Sequence, residues 1–277
     1  MSLATKKILG INITLSSKGD ILEEIQKYLE KSQKSKIKSQ KQDVNPLVIF
    51  TPNPEIINFA QKDDKFRQIV NTGQINLPDG AGVVWATEKL YGLKIHQFTG
   101  VDCMGILVDL AARWSLRIGL IGGRDDLADD TLECLQKNHP NLSGWGIDGP
   151  EIKVQSSKFK VQNYDSDLKI KETVDKIIKE KTDILFVAMG FPKQEYFINQ
   201  LNQQLTINNQ QFPIILMAVG GAFDYISGRV SRAPQWMRNM GLEWLFRLIR
   251  EPWRLSRQLR AAEFFLHVAF AYLFPIQ

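Results

Sequence analysis

Short apolar runs alternate with helical patterns from Ile8 to about Pro213. Three strong runs each end at a glycine-containing turn that leads into a helical pattern: Leu116–Ile121, Asp183–Val187 and Ile214–Val219. Weaker runs lie at Ile8–Ile13, Leu47–Phe50 and Ile75–Leu77. Buried parallel strands are continuously apolar and are joined by helices. The pattern therefore predicts an α/β fold, with a mostly parallel sheet and helices on both faces.

Helical spacing predicts the elements between these strands. We expect a helix at Ile21–Leu29, with Asp20 as its N-cap, and further helices at Ala81–Leu90 and Val101–Trp114. Another helix is expected to begin at Pro54, and one that follows Gly122–Gly123 is expected to end at Leu135. Residues 31–45 are rich in Lys, Ser and Gln, which predicts a flexible, solvated tether. The glycines around Trp145 are typical of a turn, in which the indole either packs in the core or stacks on a ligand.

The composition changes near Asp224, beyond which Arg, Trp, Leu and Phe dominate and the strand signal ends. We therefore predict two domains, an α/β core at 1–228 and a helical appendage at 229–277. From Arg229 to Arg260 there are eight arginines against two glutamates, whereas the whole chain carries a net charge of +5. Such a local excess favours an anionic partner: phosphate, nucleic acid or acidic lipid.

Composition excludes several classes of protein. The 277 residues are 44% hydrophobic and 23% charged, values that exclude wholesale disorder and a polytopic membrane protein. The two cysteines, Cys103 and Cys134, cannot build a disulfide framework, and no Cys/His cluster indicates a zinc site. No run reaches the ~18 apolar residues of a membrane span, and Ile8–Ile13 is typical of a strand rather than of a signal peptide.

In parallel α/β sheets ligands bind beyond the carboxyl ends of the strands, so the loops there carry the information. The loop after Leu47–Phe50 reads Thr51-Pro52-Asn53-Pro54. Its two prolines leave the side chains of Thr51 and Asn53 either to face a ligand or to form a turn that caps the next helix. Asp79 lies just after the run Ile75–Leu77 and precedes Gly80. It is a candidate general base, and it is equally suited to cap the next helix.

The later strand ends also carry glycine turns. Gly122–Gly123 can bring backbone N–H groups close to a phosphate. The adjacent Asp125–Asp126 pair is a metal candidate, although acidic residues at a helix start more commonly balance the helix dipole. Lys193 and Gln194 can reach a nucleotide or a sugar hydroxyl. No Walker lysine motif, no Gly-x-Gly-x-x-Gly after the first run and no Gly-x-Ser-x-Gly elbow is present, which argues against standard dinucleotide and hydrolase sites.

Four arginines of the appendage share one side of a helical wheel. Arg247, Arg250, Arg254 and Arg257 fall within about 80° of each other. The many apolar and aromatic residues around them indicate either a helix packed on its own domain or in an oligomer, or a segment that lies in a membrane interface with its arginines facing phosphates. Nucleic acid is a poorer fit, because such dense apolar side chains are unsuited to a groove that tracks phosphates.

These motifs together resemble the WecG/TagA/CpsF glycosyltransferase family, from about Ile8 to Arg260. Several separate motifs in one order carry the resemblance: Thr51–Pro54, Pro78–Val84, Thr99–Asp102, Gly122–Gly123, Met189–Glu195, Gly220–Asp224, Arg232–Met237, Gly241–Leu248 and Glu251–Pro252. The resemblance implies a Rossmann-like core with a C-terminal membrane-association appendage. It also implies a cytoplasmic protein bound peripherally to the inner face of the cell membrane.

The implied reaction is an inverting transfer of an N-acetylmannosamine-type sugar from a UDP donor to a polyprenyl-diphosphate-linked N-acetylglucosamine. It belongs to cell-envelope polysaccharide or teichoic-acid-type synthesis. The resemblance implies no metal and no other cofactor. The implied partners are the UDP-sugar, the lipid-linked acceptor, the membrane surface and, because family members form dimers or trimers, further copies of the chain. No nucleic-acid partner is expected.

The resemblance also assigns roles to individual residues. Asp79 matches the proposed catalytic base, and the appendage arginines match positions proposed to meet the lipid diphosphate and the leaving UDP. Where the family commonly has Arg, this chain has Gln97, so the missing charge is expected from Arg113, Arg124 or the appendage. The substrate-binding candidates are Thr51, Asn53, Gly80, Gln97, Gly122, Gly123, Lys193, Gln194, Arg247, Arg254 and Arg257.

Three alternatives to this function remain at the level of sequence. One is a non-catalytic, membrane-associated adaptor that binds a sugar nucleotide. Another is an enzyme that modifies soluble nucleotide sugars without lipid. The last is a transferase that uses another UDP-hexose.

Overall fold

A six-stranded sheet, with all its pairings parallel, forms the centre of the protein in a computed structural model that describes residues 3–38, 44–150, 164–207, 213–252 and 255–274. The strands are β1 (Thr5–Ile8), β2 (Ile11–Thr14), β3 (Leu47–Phe50), β4 (Ile75–Asn76), β5 (Arg117–Gly122), β6 (Ser143–Ile147), β7 (Ile184–Ala188) and β8 (Ile215–Ala218). The sheet order is β4-β3-β8-β7-β5-β6.

Helices occupy both faces of this sheet. They are α1 (Lys18–Lys38), α2 (Pro54–Ala60), α3 (Asp64–Asn71), α4 (Ala81–Tyr91), α5 (Gly100–Trp114), α6 (Leu127–Asn138), α7 (Tyr164–Lys179), α8 (Lys193–Ile207), α9 (Ala222–Ile226), α10 (Gln235–Asn239), α11 (Glu243–Arg250) and α12 (Leu255–Leu273). In β7, Leu185 and Val187 join a core with α2, α3, α8 and α12, whereas Ile184 and Phe186 join a second core with α1, α5, α6 and α9. The predicted α/β, Rossmann-like fold is confirmed.

The first apolar run is an antiparallel hairpin, which corrects the expectation of a single strand at Ile8–Ile13. Residues Ile8 and Ile11 pair directly, and Leu9 and Gly10 turn the chain with positive φ angles of 46° and 79°. Two positive φ angles in a two-residue turn match the right-handed twist of the flanking strands. The hairpin lies outside the parallel sheet.

The helix α1 begins earlier and ends later than its apolar pattern suggests. Ser17, not Asp20, is the N-cap residue, because the Asp20 N–H donates to Ser17 Oγ at 3.2 Å and the Asp20 carboxylate accepts from the Ser17 N–H at 3.2 Å. The tether predicted at 31–45 is helical as far as Lys38. Ser32 is buried and its hydroxyl donates to the Pro213 carbonyl oxygen at 3.3 Å, so this polar half of the helix is fastened to the core. Residues 39–43 lie outside the described part of the chain.

The turn expected around Trp145 is the edge strand β6, which pairs with β5. The Trp145 side chain is buried, and its indole N–H donates to Thr182 Oγ1 at 2.9 Å. The packed alternative for this Trp is therefore correct.

The segment after 228 forms three helices in its described parts, and no strand among them. The last helix, α12, packs on α2 and α4, with Phe264 and Val268 fully buried in the core. Its Glu263 accepts from Asn58 Nδ2 at 2.9 Å and pairs with Lys62 Nζ at 2.6 Å. Its outward side leaves apolar side chains in solvent, including Leu266, Phe270 and Leu273. Among the described helices, none has the length and apolar character that crossing a bilayer would require.

Candidate active site

A cleft of about 1020 Å³ lies at the carboxyl ends of the strands, where sequence predicted the ligand. Its floor comes from the loops after β3, β4, β7 and β8, which are four adjacent strands of the sheet. Its opposite wall comes from the described parts of the segment that runs from α9 to α12, including residues of both helices. Core and appendage therefore share one cavity.

Asp79 lines this cleft immediately before α4. The N-cap of α4 is Gly80, and no side chain caps this helix, so the capping alternative for Asp79 is wrong. The carboxylate instead accepts a hydrogen bond from the Gly100 N–H at the start of α5. Burial raises the pKa of Asp79 to about 7, the Glu243 and Asp102 charges act in the same direction, and the Gly100 N–H and Arg232 oppose them.

A carboxyl group with a pKa near neutrality is suited to general base chemistry. At physiological pH a useful fraction is ionised, and its basicity is about a thousandfold greater than that of an ordinary aspartate. Gly80, the next residue, has a φ of 97° and also lines the cleft. Its positive φ is a backbone conformation that favours glycine, and it ends the loop that carries Asp79.

Thr51 and Asn53 lie on the neighbouring loop after β3 and also line the cleft. Asn53 caps α2, since its Oδ1 accepts from the Ile56 N–H at 3.0 Å. The capping alternative for this loop is therefore correct, and the same residue still faces the cavity. Thr51 is buried, and its hydroxyl donates to the Ala218 carbonyl oxygen at 3.5 Å.

Gln194 is held at the first turn of α8 by two hydrogen bonds. Its Oε1 accepts from the Gly220 N–H at 3.1 Å, and its Nε2 donates to Glu195 Oε1 at 2.9 Å. Burial raises the pKa of Glu195 to about 7, although the Gln194 amide opposes the shift. Among the described residues, Glu195 Oε2 has no hydrogen-bond donor. The Gln194 amide thus has a fixed orientation at the cleft wall.

Three candidates lie elsewhere in the described structure. Gly122, Gly123 and Lys193 are not among the residues that line the cleft. The glycine at 122 has a φ of 130°, and a Cβ there would overlap the backbone of Ala188 on β7. A packing requirement therefore explains this glycine, and substrate binding by these three residues stays a prediction.

Arg247 enters the cleft from α11. Its Nε donates to Glu251 Oε2 at 2.9 Å, and its guanidinium lies 5.0 Å from the centre of the Tyr225 ring. It also lies against Gly221 of the loop after β8. Arg254 and the side chain of Arg257 lie outside the described residues.

The match to a family model decides the identity of the chain. The model of the glycosyl transferase WecG/TagA/CpsF family matches residues 6–276. The chain belongs to this family. Curated relatives from Staphylococcus aureus strains MW2, NCTC 8325 and COL are each 29% identical over 226 residues, which is 82% of this chain and 80% of the relative. Each is an N-acetylglucosaminyldiphosphoundecaprenol N-acetyl-beta-D-mannosaminyltransferase.

As a member of this family, the protein is a glycosyltransferase. Gln97 lines its cleft, whereas Arg113 and Arg124, expected to replace the missing charge, are not among the lining residues of the described chain. Arg232 and Arg238 of the appendage line the cleft beside Arg247. Sequence reasoning included both residues in the basic segment but did not single them out as site residues.

Asp224, Tyr225 and Glu243 also line the cleft without having been singled out as site residues. A signal existed for two of them, since Asp224 and Glu243 belong to motifs that carry the family resemblance, and Tyr225 directly follows Asp224. Among the described residues, no group of three His, Cys, Asp or Glu side chains is placed to hold a metal ion. A metal role for Asp125–Asp126 thus has no third ligand in the part of the chain that is described.

Proposed function

We propose that this glycosyltransferase moves an N-acetylmannosamine-type sugar from a UDP donor to N-acetylglucosamine on a polyprenyl diphosphate, with Asp79 as the base. The Asp79 carboxyl carries the proposal, because it lies in the shared cleft with a pKa near 7. The names of the relatives support the acceptor and the transferred sugar. We propose cell-envelope polymer synthesis at the inner face of the membrane as the setting.

The proposed chemistry is a single displacement with inversion. The acceptor hydroxyl attacks the anomeric carbon, the bond from that carbon to the UDP oxygen breaks, and Asp79 takes the hydroxyl proton. A base contributes about a hundredfold or more when it is placed within hydrogen-bond reach of the attacking hydroxyl. The held amide of Gln194 and the polar side chains of Thr51 and Asn53 would orient the sugar.

The leaving UDP develops negative charge, which preorganised cations can stabilise. Arg247 supplies such a cation at the cleft wall, and we propose Arg254 and Arg257 as further contributors by their family positions. The proposed reaction uses these guanidinium groups in place of a metal ion. The exposed apolar side of α12 would contact the membrane in which the acceptor resides.

The test measures UDP release by the purified full-length chain. UDP-N-acetylmannosamine is supplied with a short-chain polyprenyl-diphosphate-N-acetylglucosamine, and other UDP-hexoses are tested beside it. Asp79→Asn should fold, bind UDP and lose at least about a hundredfold in turnover. The matched control is Asp109→Asn, which removes an equivalent carboxylate that pairs with His139 on the surface and does not line the cleft.

Each outcome decides between named functions. Near-normal turnover of Asp79→Asn would remove Asp79 as the base. Turnover with a different UDP-hexose alone would reassign the donor. Absence of turnover with every donor, combined with retained binding to anionic vesicles, would favour the non-catalytic adaptor. Full activity of the intact chain on a soluble acceptor, without lipid, would favour the lipid-independent enzyme.

A further inference from the structure

Arg232 lies between the core and the helix that carries Arg247. Its three guanidinium nitrogens each have an acceptor: Asp102 Oδ1 at 2.9 Å, Thr99 Oγ1 at 3.4 Å and Glu243 Oε1 at 3.3 Å. Its side chain is 22% exposed, and it lines the cleft. A planar guanidinium can hold several acceptors in a fixed geometry, which a lysine cannot.

The three acceptors belong to two different helix ends. Thr99 is the N-cap of α5, and Asp102 lies in the first turn of the same helix. Glu243 is the first residue of α11. Arg232 therefore joins the start of α11 to the start of α5, the helix whose first N–H also holds the Asp79 carboxylate.

The position of Glu243 fixes the rotation of α11. Residues four apart lie on the same face of a helix, so Glu243 and Arg247 point to one side, and both line the cleft. A second contact limits the movement of this end, because Gly241 packs so closely on Ala81 of α4 that a Cβ at 241 would lie 2.7 Å from the alanine Cβ. Fastening Glu243 thus sets the side of α11 that faces the cleft, and Glu251 and Tyr225 then hold the Arg247 guanidinium there.

We propose that Arg232 is a positioning residue that holds α11 against the first turn of α5 and thereby keeps Arg247 in the cleft. The inference rests on the proposed function of Asp79 and Arg247. It goes further by assigning the docking of the appendage helix to one side chain. On the leaving UDP Arg232 acts through Arg247, while its own charge acts on the ionisation of Asp79.

The proposal predicts an energetic dependence of one arginine on the other. Arg232→Gln should lower kcat at least tenfold in the full-length protein, with a smaller change in KM for the UDP-sugar. In an Arg247→Ala background the same substitution should lower kcat less than about threefold, because the residue it positions is already gone. Equal losses in both backgrounds would overturn the proposal.

The matched control is Arg229→Gln. Arg229 lies three residues away and pairs with Asp130 at 2.6 Å, and it does not line the cleft. It should leave kcat within about twofold of the parent, while melting temperatures of both variants report on folding. A loss equal to that of Arg232→Gln would show that any broken ion pair of this segment has the same effect, and would overturn the proposal.

The pH profile tests the charge arrangement around Asp79, on which Arg232 and Glu243 act directly. Asp79 is surrounded by the charges of Asp102 on α5, Glu243 on α11 and Arg232, of which only the last favours its ionised form. Arg232→Gln should shift the acidic limb of kcat/KM to higher pH. Glu243→Gln breaks the same ion pair and should shift the limb to lower pH. Shifts in one direction for both variants would contradict the charge arrangement on which the inference depends.

Hydrogen exchange tests the docking without any substrate. Arg232→Gln should speed exchange of the α11 amides while those of β7 keep their rates. Unchanged exchange in α11 would overturn the proposal even if the enzyme is active. Conversely, a wild-type protein without transferase activity would refute the proposed function and leave this measurement valid.

Discussion

Asp79 should make the protein less stable at neutral pH, and this cost can be measured. Its pKa is raised from 3.8 to about 7, mainly because burial disfavours the charged carboxylate. Between these two values the folded state binds a proton that the unfolded state releases. Stability is therefore highest below the unfolded pKa and is lost as the pH rises towards 7.

The magnitude follows from the pKa difference. One pKa unit corresponds to about 1.4 kcal/mol. The titration of Asp79 should therefore lower the free energy of unfolding by ~2 kcal/mol between pH 5.5 and pH 8. Asp79 is partly in contact with solvent in the cleft, and screening there reduces the effect to roughly 1–2 kcal/mol. Asp79→Asn removes the titration while preserving the shape of the side chain.

The assay is urea unfolding of the parent and of Asp79→Asn at pH 5.5 and at pH 8. The free energy of unfolding of the Asn variant, relative to the parent, should rise by roughly 1–2 kcal/mol between the two pH values. Every other titrating group is common to both proteins and cancels. A constant difference at the two pH values would refute the reasoning that burial raises this pKa, whatever the variant does to turnover.

Four further predictions concern the cleft and its support. The acidic limb of kcat/KM should have a midpoint near pH 7, because Asp79, as the proposed base, must be ionised to take a proton; a midpoint near 4 would contradict this. Arg247→Ala should lower kcat at least about tenfold with a short-chain acceptor, whereas Arg250→Ala, on the exposed side of α11, should change it less than about threefold. Gly122→Ala should lower the stability by at least ~2 kcal/mol, while Gly105→Ala, which meets nothing within 4 Å in α5, should be neutral or stabilising by ~0.5–1 kcal/mol; thermal melts compare them. UDP should slow hydrogen exchange in α11, and unchanged rates would argue against a shared diphosphate site.

Strand ends could be predicted because the signal for a buried parallel strand is local. The strands β3, β7 and β8 are buried along their whole length and read as unbroken apolar runs. The edge strand β6 was missed because glycines flank Trp145. A Cβ at Gly144 would lie 2.8 Å from the Ile118 carbonyl oxygen on β5, so its glycine reflects a neighbouring strand rather than a turn.

The charged wall of the cleft could not be predicted from local pattern. Arg232 and Asp102 are 130 positions apart, and nothing in either segment indicates that they pair. Sequence could place Asp79 at a strand end but not decide between base and cap, because that choice depends on which N–H groups surround the carboxylate. Gly122–Gly123 looked similar to the other strand ends, yet β5 lies beyond β7 and outside the four adjacent strands whose loops form the cleft.

The charges of the cleft come from two parts of the chain. The core contributes the acidic side chains of Glu55, Asp79 and Asp224, whereas the predicted appendage contributes Glu243 and the guanidinium groups of Arg232, Arg238 and Arg247. A diphosphate bound to the core alone would meet negative charge without compensation. Its affinity should therefore depend on the docking of α11, and by linkage a bound diphosphate must strengthen that docking by the same factor. The predicted domain boundary at 228/229 consequently runs through the candidate active site, and residues from both sides of the boundary line it.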